Sequence, residues 1–391
     1  MKLYQKLSWI FLKITFGTFC KFFYKIECIK HNKEPKPPFI LLANHSHELD
    51  AFLIAIFLKY PVHYLGSDEK ASIFQLFLAE LVGMFYTQKG TIDTKAAKKI
   101  FNYLKNNESI AFFPEGDGTY DGETGDFTFN IIKLVKKFNI PILTVNIAGG
   151  YLTKSKWSKH SRRGKVLIQL RSIPKEIINS LNDNEIFKTV KEYIYNNDIK
   201  NPIFQKINFK GKDLSVGVQF LLWKCPKCNS IDTIYGKKNK VFCSEYNSIW
   251  NLDGNMRITP GKINIFDLKD WNEWQKTEIK KILGAKKVNE LTSTKNVELN
   301  IFIRNSKGIN KRKMIYEKIS EGDLILTRDK LIFKSKNNKN DFYFDIHKIK
   351  YFVDCINQYL RFHYKDKIYK IIFNNKNISR YIYFLRYLNK N

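Results

Sequence analysis

Short apolar runs recur along the first half of the chain, each closed by polar or turn-forming residues and followed by a stretch with helical spacing. Residues 39–43, 62–65, 84–87, 109–113, 142–147 and 164–170 read as buried strands. Residues 51–59, 73–82, 94–106, 129–138 and 174–197 read as helices between and after them. Such alternation predicts an α/β sheet with its functional residues on loops at strand ends. Before it stands Pro35-Lys36-Pro37-Pro38, which forbids continued helix. Near residue 213 the pattern changes to a small hairpin-rich stretch containing Cys225, Cys228 and Cys243. Residues 266–283 then read as one amphipathic helix. Short strands follow at 298–303, 314–316, 324–327, 330–333, 341–346, 351–353, 360–364 and 369–373, and a closing helix at 379–388. The expected organisation is an N-terminal amphipathic segment (1–34), an α/β domain (35–212), a ribbon-like module (213–262), and a linker helix with an antiparallel β domain (263–391).

The first segment has its own pattern. Lys2, Lys6, Lys13, Lys21 and Lys25 recur among Trp9, Phe11, Phe16, Phe19, Phe22 and Phe23. As a helix it is basic on one side and aromatic on the other, which suits a helix lying in a membrane interface. No stretch reaches the ~18 uninterrupted apolar residues of a spanning helix.

Charge sharpens that picture. Sixty-seven Lys and Arg against thirty-seven Asp and Glu leave +30, which favours a polyanionic partner. The basic residues are spread along the whole chain and form no recognisable nucleic-acid motif, so an anionic membrane surface is expected and nucleic acid is not. The 44% hydrophobic content excludes wholesale disorder. The six cysteines lack disulfide-framework spacing, and Cys225 and Cys228 form a CxxC, which fits a reducing compartment.

The candidate chemistry lies in Asn44-His45-Ser46-His47-Glu48-Leu49-Asp50. A His and an Asp five apart at a strand-to-helix turn can fold onto each other. The carboxylate then fixes the imidazole tautomer and leaves the other ring nitrogen as a general base, with a substrate hydroxyl in place of a serine. Taken alone, the same pair could be a helix cap beside a solvated histidine. His47 and Glu48 read as bystanders.

Three further blocks accompany this one: 83–89, which ends at Lys89; Pro114-Glu115-Gly116; and Ile140-Pro141-Ile142. In order, the four resemble the blocks of the lysophosphatidic acid (glycerolipid) acyltransferase family over about residues 35–175. The resemblance implies His45 as the base that deprotonates the acceptor hydroxyl and Asp50 as its orienting partner. It implies a substrate-binding role for Lys89, Pro114, Glu115 and Gly116, with Glu115 and Gly116 positioning the phosphoglycerol end. The implied reaction moves a fatty acyl group from acyl-CoA or acyl-ACP, with no acyl-enzyme intermediate, to a lysophospholipid. The acceptor implied first is 1-acyl-glycerol-3-phosphate, giving phosphatidic acid. It also implies work at the cytoplasmic face of a membrane, as a peripheral or monotopic protein. Two departures weaken the expected phosphate grip. Lys89 stands where the family usually has Arg, and Asp117-Gly118 replaces the usual Thr-Arg pair. Lys154, Lys156, Arg162 and Arg163 are candidates to compensate. The alternatives are a membrane-binding module that has lost turnover, or a nucleic-acid binder. Intact His45, Asp50 and Glu115 favour the enzyme.

Cys225-x2-Cys228 with Cys243-x2-Tyr246 resembles a zinc ribbon in which Tyr246 takes the place of the fourth thiolate. The expectation is a ribbon that kept its hairpins and lost its metal, with no cofactor. Three thiolates completed by Glu245 or water remain chemically possible. The last strands and helix resemble a PH- or GRAM-type barrel.

Overall fold

The computed structural model describes residues 1–67, 79–87, 94–127, 129–262, 264–285, 289–305, 314–336, 340–355, 359–374 and 376–388. Lys89 and most of the helix expected at 73–82 lie outside them; residues 79–81 are helical.

Seven strands form the first sheet: β1 (Glu27–Lys30), β2 (Ile40–Ala43), β3 (Val62–Ser67), β4 (Phe85–Thr87), β5 (Ser109–Phe112), β6 (Ile142–Ala148) and β7 (Leu167–Ile173). Their spatial order is β1-β7-β6-β2-β5-β3-β4. β6, β2, β5, β3 and β4 run parallel, and β7 is antiparallel to β6. The central strands are apolar at nearly every position because both faces are covered. On β2, Ile40 and Leu42 meet the helices α3 (Thr94–Lys105), α4 (Asn130–Phe138) and α7 (Asp183–Ile194), while Leu41 and Ala43 face the opposite layer. Burying each of these large aliphatic side chains contributes about 1.5–3 kcal/mol.

The other helices of this region are α1 (Leu3–Tyr24), α2 (Asp50–Ala55), α5 (Gly150–Thr153), α6 (Lys175–Ser180) and α8 (Pro202–Gln205). The single helix expected at 174–197 is two, α6 and α7. The second is restarted by Asn182, whose side chain accepts from the Glu185 N–H while Glu185 bonds back to the Asn182 N–H.

α1 packs one face onto the sheet through Trp9, Cys20 and Tyr24, and Gly17 lets it approach Ile56 closely. Its opposite face leaves Leu3, Leu7, Ile10, Phe11, Ile14 and Phe22 between 49% and 75% exposed. Among the described residues, no helix is long and apolar enough to cross a membrane.

A five-stranded antiparallel sheet follows: β8 (Ile234–Lys237), β9 (Lys240–Cys243), β10 (Ser248–Leu252), β11 (Arg257–Lys262) and β12 (Ile265–Asp267). Its core, with Val241 and Trp250, is continuous with Tyr151, Leu152 and Trp157 of the first region. α9 (Leu268–Gly284) leads into a seven-stranded antiparallel sheet. Its strands are β13 (Glu290–Asn305), β14 (Met314–Thr327), β15 (Lys330–Ser335), β16 (Phe342–Asp345), β17 (Ile349–Cys355), β18 (Tyr359–Tyr364) and β19 (Lys367–Ile372), and helix α10 (Ser379–Leu388) follows them. The order is β16-β15-β14-β13-β19-β18-β17. Among the described residues no ladder joins the two edge strands, so the sheet is open where a barrel was expected. The two short strands expected at 314–316 and 324–327 are one, paired with β13 through several register shifts.

Candidate active site

β2 and β5 are parallel neighbours with Leu42 opposite Phe112, so the loops leaving their C-terminal ends meet although seventy residues separate them. His45 sits on the first loop and Glu115 on the second. Asn44 anchors the first. Its side chain donates to the Ile147 carbonyl at 2.8 Å and accepts from the Ile147 N–H at 2.7 Å, tying the end of β2 to β6.

α2 begins at Asp50, a residue with no solvent exposure. Its Oδ2 accepts from the Ser46 N–H at 2.7 Å and the His47 N–H at 2.9 Å, and lies 2.8 Å from His45 Nδ1. An ionised carboxylate can only accept, so the Nδ1–H of His45 donates to it. The His45 ring stacks on Phe113, with centroids 4.4 Å apart, and remains 28% exposed. One imidazole nitrogen is thereby held by Asp50.

His47 has a different setting. Its Nδ1 accepts from the Leu49 N–H at 3.0 Å, its ring lies edge-on to Tyr24 of α1, and burial lowers its pKa. A neutral, buried imidazole committed to its own turn is a packing residue.

Glu115 bridges the two loops. Its Oε1 accepts from the His45 N–H at 2.7 Å, and its Oε2 from the Gly125 N–H at 2.6 Å. Burial pushes the carboxyl up to about 8; the two N–H donors oppose that shift, and Asp50 adds to it. Both oxygens are engaged inside the protein, so this side chain shapes the His45 loop directly. Gly116 follows at φ +75, a left-handed turn that glycine adopts without strain. The raised Glu115 value has a consequence for stability. Between its ordinary value of 4.5 and about 8, the folded chain holds a proton that the unfolded chain has released. This group's contribution to stability is therefore full below the lower value and lost as pH rises toward the upper one. Glu115→Gln should flatten that part of the thermal-unfolding profile relative to the wild type. An unchanged slope in the variant would remove Glu115 as its source.

The loop beyond Gly116 returns beside His45. The Thr119 N–H donates to the His45 carbonyl at 2.8 Å. A Cβ placed on Gly118 would stand 2.9 Å from Lys156 Cε and 3.5 Å from His45 Cδ2, so the Lys156 stem occupies the space next to the imidazole. Lys156 Nζ lies 3.9 Å from Asp117 and over the Tyr120 ring. The other three candidate cations are elsewhere. Arg162 is buried and donates to the Leu152 carbonyl, Lys154 donates to the Ser158 and Lys159 carbonyls, and Arg163 lies over Phe22 and Phe23. The same loop is held from outside. Asp121 lies 2.8 Å from Lys269 and 2.9 Å from Lys276, both on α9, and these ammonium groups hold its carboxyl well below the usual range.

The structure thus brings His45, Asp50, Pro114, Glu115 and Gly116 to one place, while Lys89 lies outside the described residues. Sequence reasoning gave Asn44 and Phe113 no role of their own, and named Gly118 only as a departure from the usual Arg. The first two adjoin the motifs, but only the pairing of β2 with β5 and β6 assigns them contacts. Between α1 and α2 lies a small apolar pocket lined by Trp9, Leu12, Phe16, Ala51, Phe52, Ala55, Tyr64 and neighbours.

Comparison with known proteins gives these loops a context. A family model described as Acyltransferase matches residues 25–148. A probable 1-acyl-sn-glycerol-3-phosphate acyltransferase of Mycoplasma genitalium is 25% identical over 201 residues, covering 47% of this chain and 70% of that protein. A chloroplastic 1-acyl-sn-glycerol-3-phosphate acyltransferase of Brassica napus is 24% identical over 139 residues, 32% of this chain and 38% of that protein. The crystal structure of a 1-acyl-sn-glycerophosphate acyltransferase from Thermotoga maritima aligns with a TM-score of 0.40 and 21% identity, over 49% of this chain and 78% of that one. The matched family segment spans both loops that converge on His45: residues 25–148 are an acyltransferase domain, similar to 1-acyl-sn-glycerol-3-phosphate acyltransferases, and the chain is an acyltransferase.

Proposed function

We propose that the chain transfers a fatty acyl group from an acyl thioester, on coenzyme A or acyl carrier protein, to the free hydroxyl of 1-acyl-glycerol-3-phosphate. The observation that carries this reading is the 2.8 Å contact between His45 Nδ1 and the buried Asp50 carboxylate. His45 Nε2 takes the proton as the acceptor oxygen bonds to the thioester carbonyl carbon. The tetrahedral adduct expels the thiolate, and the imidazolium returns the proton to the sulfur. The products are phosphatidic acid and a free thiol. Asp50 holds the tautomer and balances the imidazolium charge.

The acceptor's phosphate is assigned to Lys156. Its stem fills the space beside Gly118, where the family often carries an Arg, and its ammonium is close enough to Glu115 to pull that carboxyl's pKa down. An ammonium offers a point charge where a guanidinium would give a two-pronged grip. The pocket between α1 and α2 offers an apolar bed for a fatty tail, since α2 starts at Asp50. The exposed apolar stripe of α1, with its lysines, favours docking on an anionic membrane from the cytoplasmic face, in a peripheral or monotopic manner.

One experiment tests the reading. Anionic vesicles carrying a panel of lysolipids are incubated with the protein and a labelled acyl thioester, then pelleted. The protein should pellet with the vesicles, and label should enter the phosphate-monoester acceptor ahead of zwitterionic ones. Lys156→Ala should erase that preference, mainly through KM. Label spread evenly over the panel by the wild type, or protein left in the supernatant, would contradict the respective assignments.

A further inference from the structure

Outside the acyltransferase site, three thiols converge in the five-stranded ribbon. Cys225 and Cys228 come from the loop before β8, and Cys243 from the end of β9. One sulfur from each lies within 4.8 Å of the others, and Cys228 Sγ is 3.6 Å from Cys243 Sγ. A tetrahedral ion with metal–sulfur bonds of about 2.3 Å requires sulfur–sulfur edges of about 3.8 Å, so the spacing is that of ligands around one ion.

Polar groups stand against all three sulfurs. The Lys227 N–H points at Cys225 Sγ at 3.4 Å, the Ser230 hydroxyl lies 3.1 Å from Cys228 Sγ, and the Thr233 hydroxyl lies 3.4 Å from Cys243 Sγ. An amide N–H and two hydroxyls thus stand against the three sulfurs, and with a metal bound they can donate to the thiolates and orient them from the outer shell. The loop is held by its own backbone bonds. The Cys225 N–H donates to the Ser230 carbonyl and the Asn229 N–H to the Cys225 carbonyl, with Asn229 in the left-handed region at φ +62. Cys225 and Cys243 are buried, whereas Cys228 is only partly so. Tyr246, in the place of a fourth cysteine, is 63% exposed.

We infer that Cys225, Cys228 and Cys243 hold one zinc-class divalent ion as three thiolates, with the fourth position left to water or another small donor. Binding converts three thiols to thiolates and releases their protons. The expectation from sequence was a ribbon without metal, because one cysteine of four is missing. The three that remain are gathered at one place.

The test uses the full-length reduced protein and Co²⁺ as a probe, followed by Zn²⁺. The expected result is one Co²⁺ per chain with a sulfur-to-cobalt charge-transfer band, abolished by excess Zn²⁺. Cys228→Ser and Cys243→Ser should each weaken Co²⁺ binding by more than the ~10–100-fold typical of losing an outer-shell partner. Cys28→Ser, outside the cluster, should bind as the wild type does. Cys228 is partly exposed, so that variant serves if Cys243→Ser fails to fold. A folded, reduced wild type without the band, a band that survives Cys228→Ser, or binding of Cu⁺ alone would overturn the inference.

Discussion

His45→Ala should lower kcat for acyl transfer by about 10²–10⁴-fold, the range that a positioned general base contributes. The side chain is 28% exposed and its loop is held by contacts that alanine keeps. The backbone N–H of residue 45 still donates to Glu115, its carbonyl still accepts from Thr119, and Asn44 still ties the strand end to Ile147. The ring does lose its stacking on Phe113. Folding should therefore survive, and KM for both substrates should change little, because Nε2 acts on a proton and not on binding. A kcat within a few-fold of wild type would remove the imidazole from the reaction. Steady-state kinetics beside thermal unfolding makes the distinction.

The second large effect is expected at Asp50, and it divides by substitution. Asp50→Asn keeps the shape, and because one oxygen takes all three donors the amide should turn its own oxygen toward the Ser46 and His47 N–H groups. It carries no charge to balance the imidazolium, so kcat should fall toward the His45→Ala level. The double variant should cost little more than either single one, because the two residues act as a unit. Asp50→Ala adds a folding penalty. The Ser46 and His47 N–H groups both donate to the buried carboxylate, and each left unpaired costs about 1–3 kcal/mol. Urea unfolding should separate the two variants, with Ala clearly less stable than Asn. An active Asp50→Asn enzyme would show that the reaction does not need the carboxylate's charge.

What the chain discloses before folding follows from the range of its interactions. The His45–Asp50 pair spans five residues and one turn, so the motif predicts its own geometry. Glu115 could be joined to it only through a family resemblance, because nothing local to residue 115 shows that β5 lies beside β2. Asp121 is more hidden still, since Lys269 and Lys276 lie 148 and 155 residues further on. Lys154, Lys156, Arg162 and Arg163 look equivalent in one basic loop, and only folding separates the buried Arg162 from Lys156 beside the imidazole.

Elements follow the same logic. The parallel core strands were legible because burial on both faces leaves continuous apolar runs. β1 was not, because Glu-Cys-Ile-Lys is a short edge strand with its residues largely exposed, and it pairs with β7 far along the chain. β14 read as two pieces because Glu317, Lys318 and Glu321 interrupt its apolar pattern, while pairing with β13 holds the backbone extended regardless.

The most direct measurement follows free thiol and diacylated product together, in wild type and His45→Ala, with and without the lysophosphatidate acceptor. Direct attack by an activated alcohol predicts one thiol released per product molecule, no thiol burst without acceptor, and near silence in the variant. An acceptor-independent burst that leaves the acyl group on the protein, or undiminished product from His45→Ala, would contradict it.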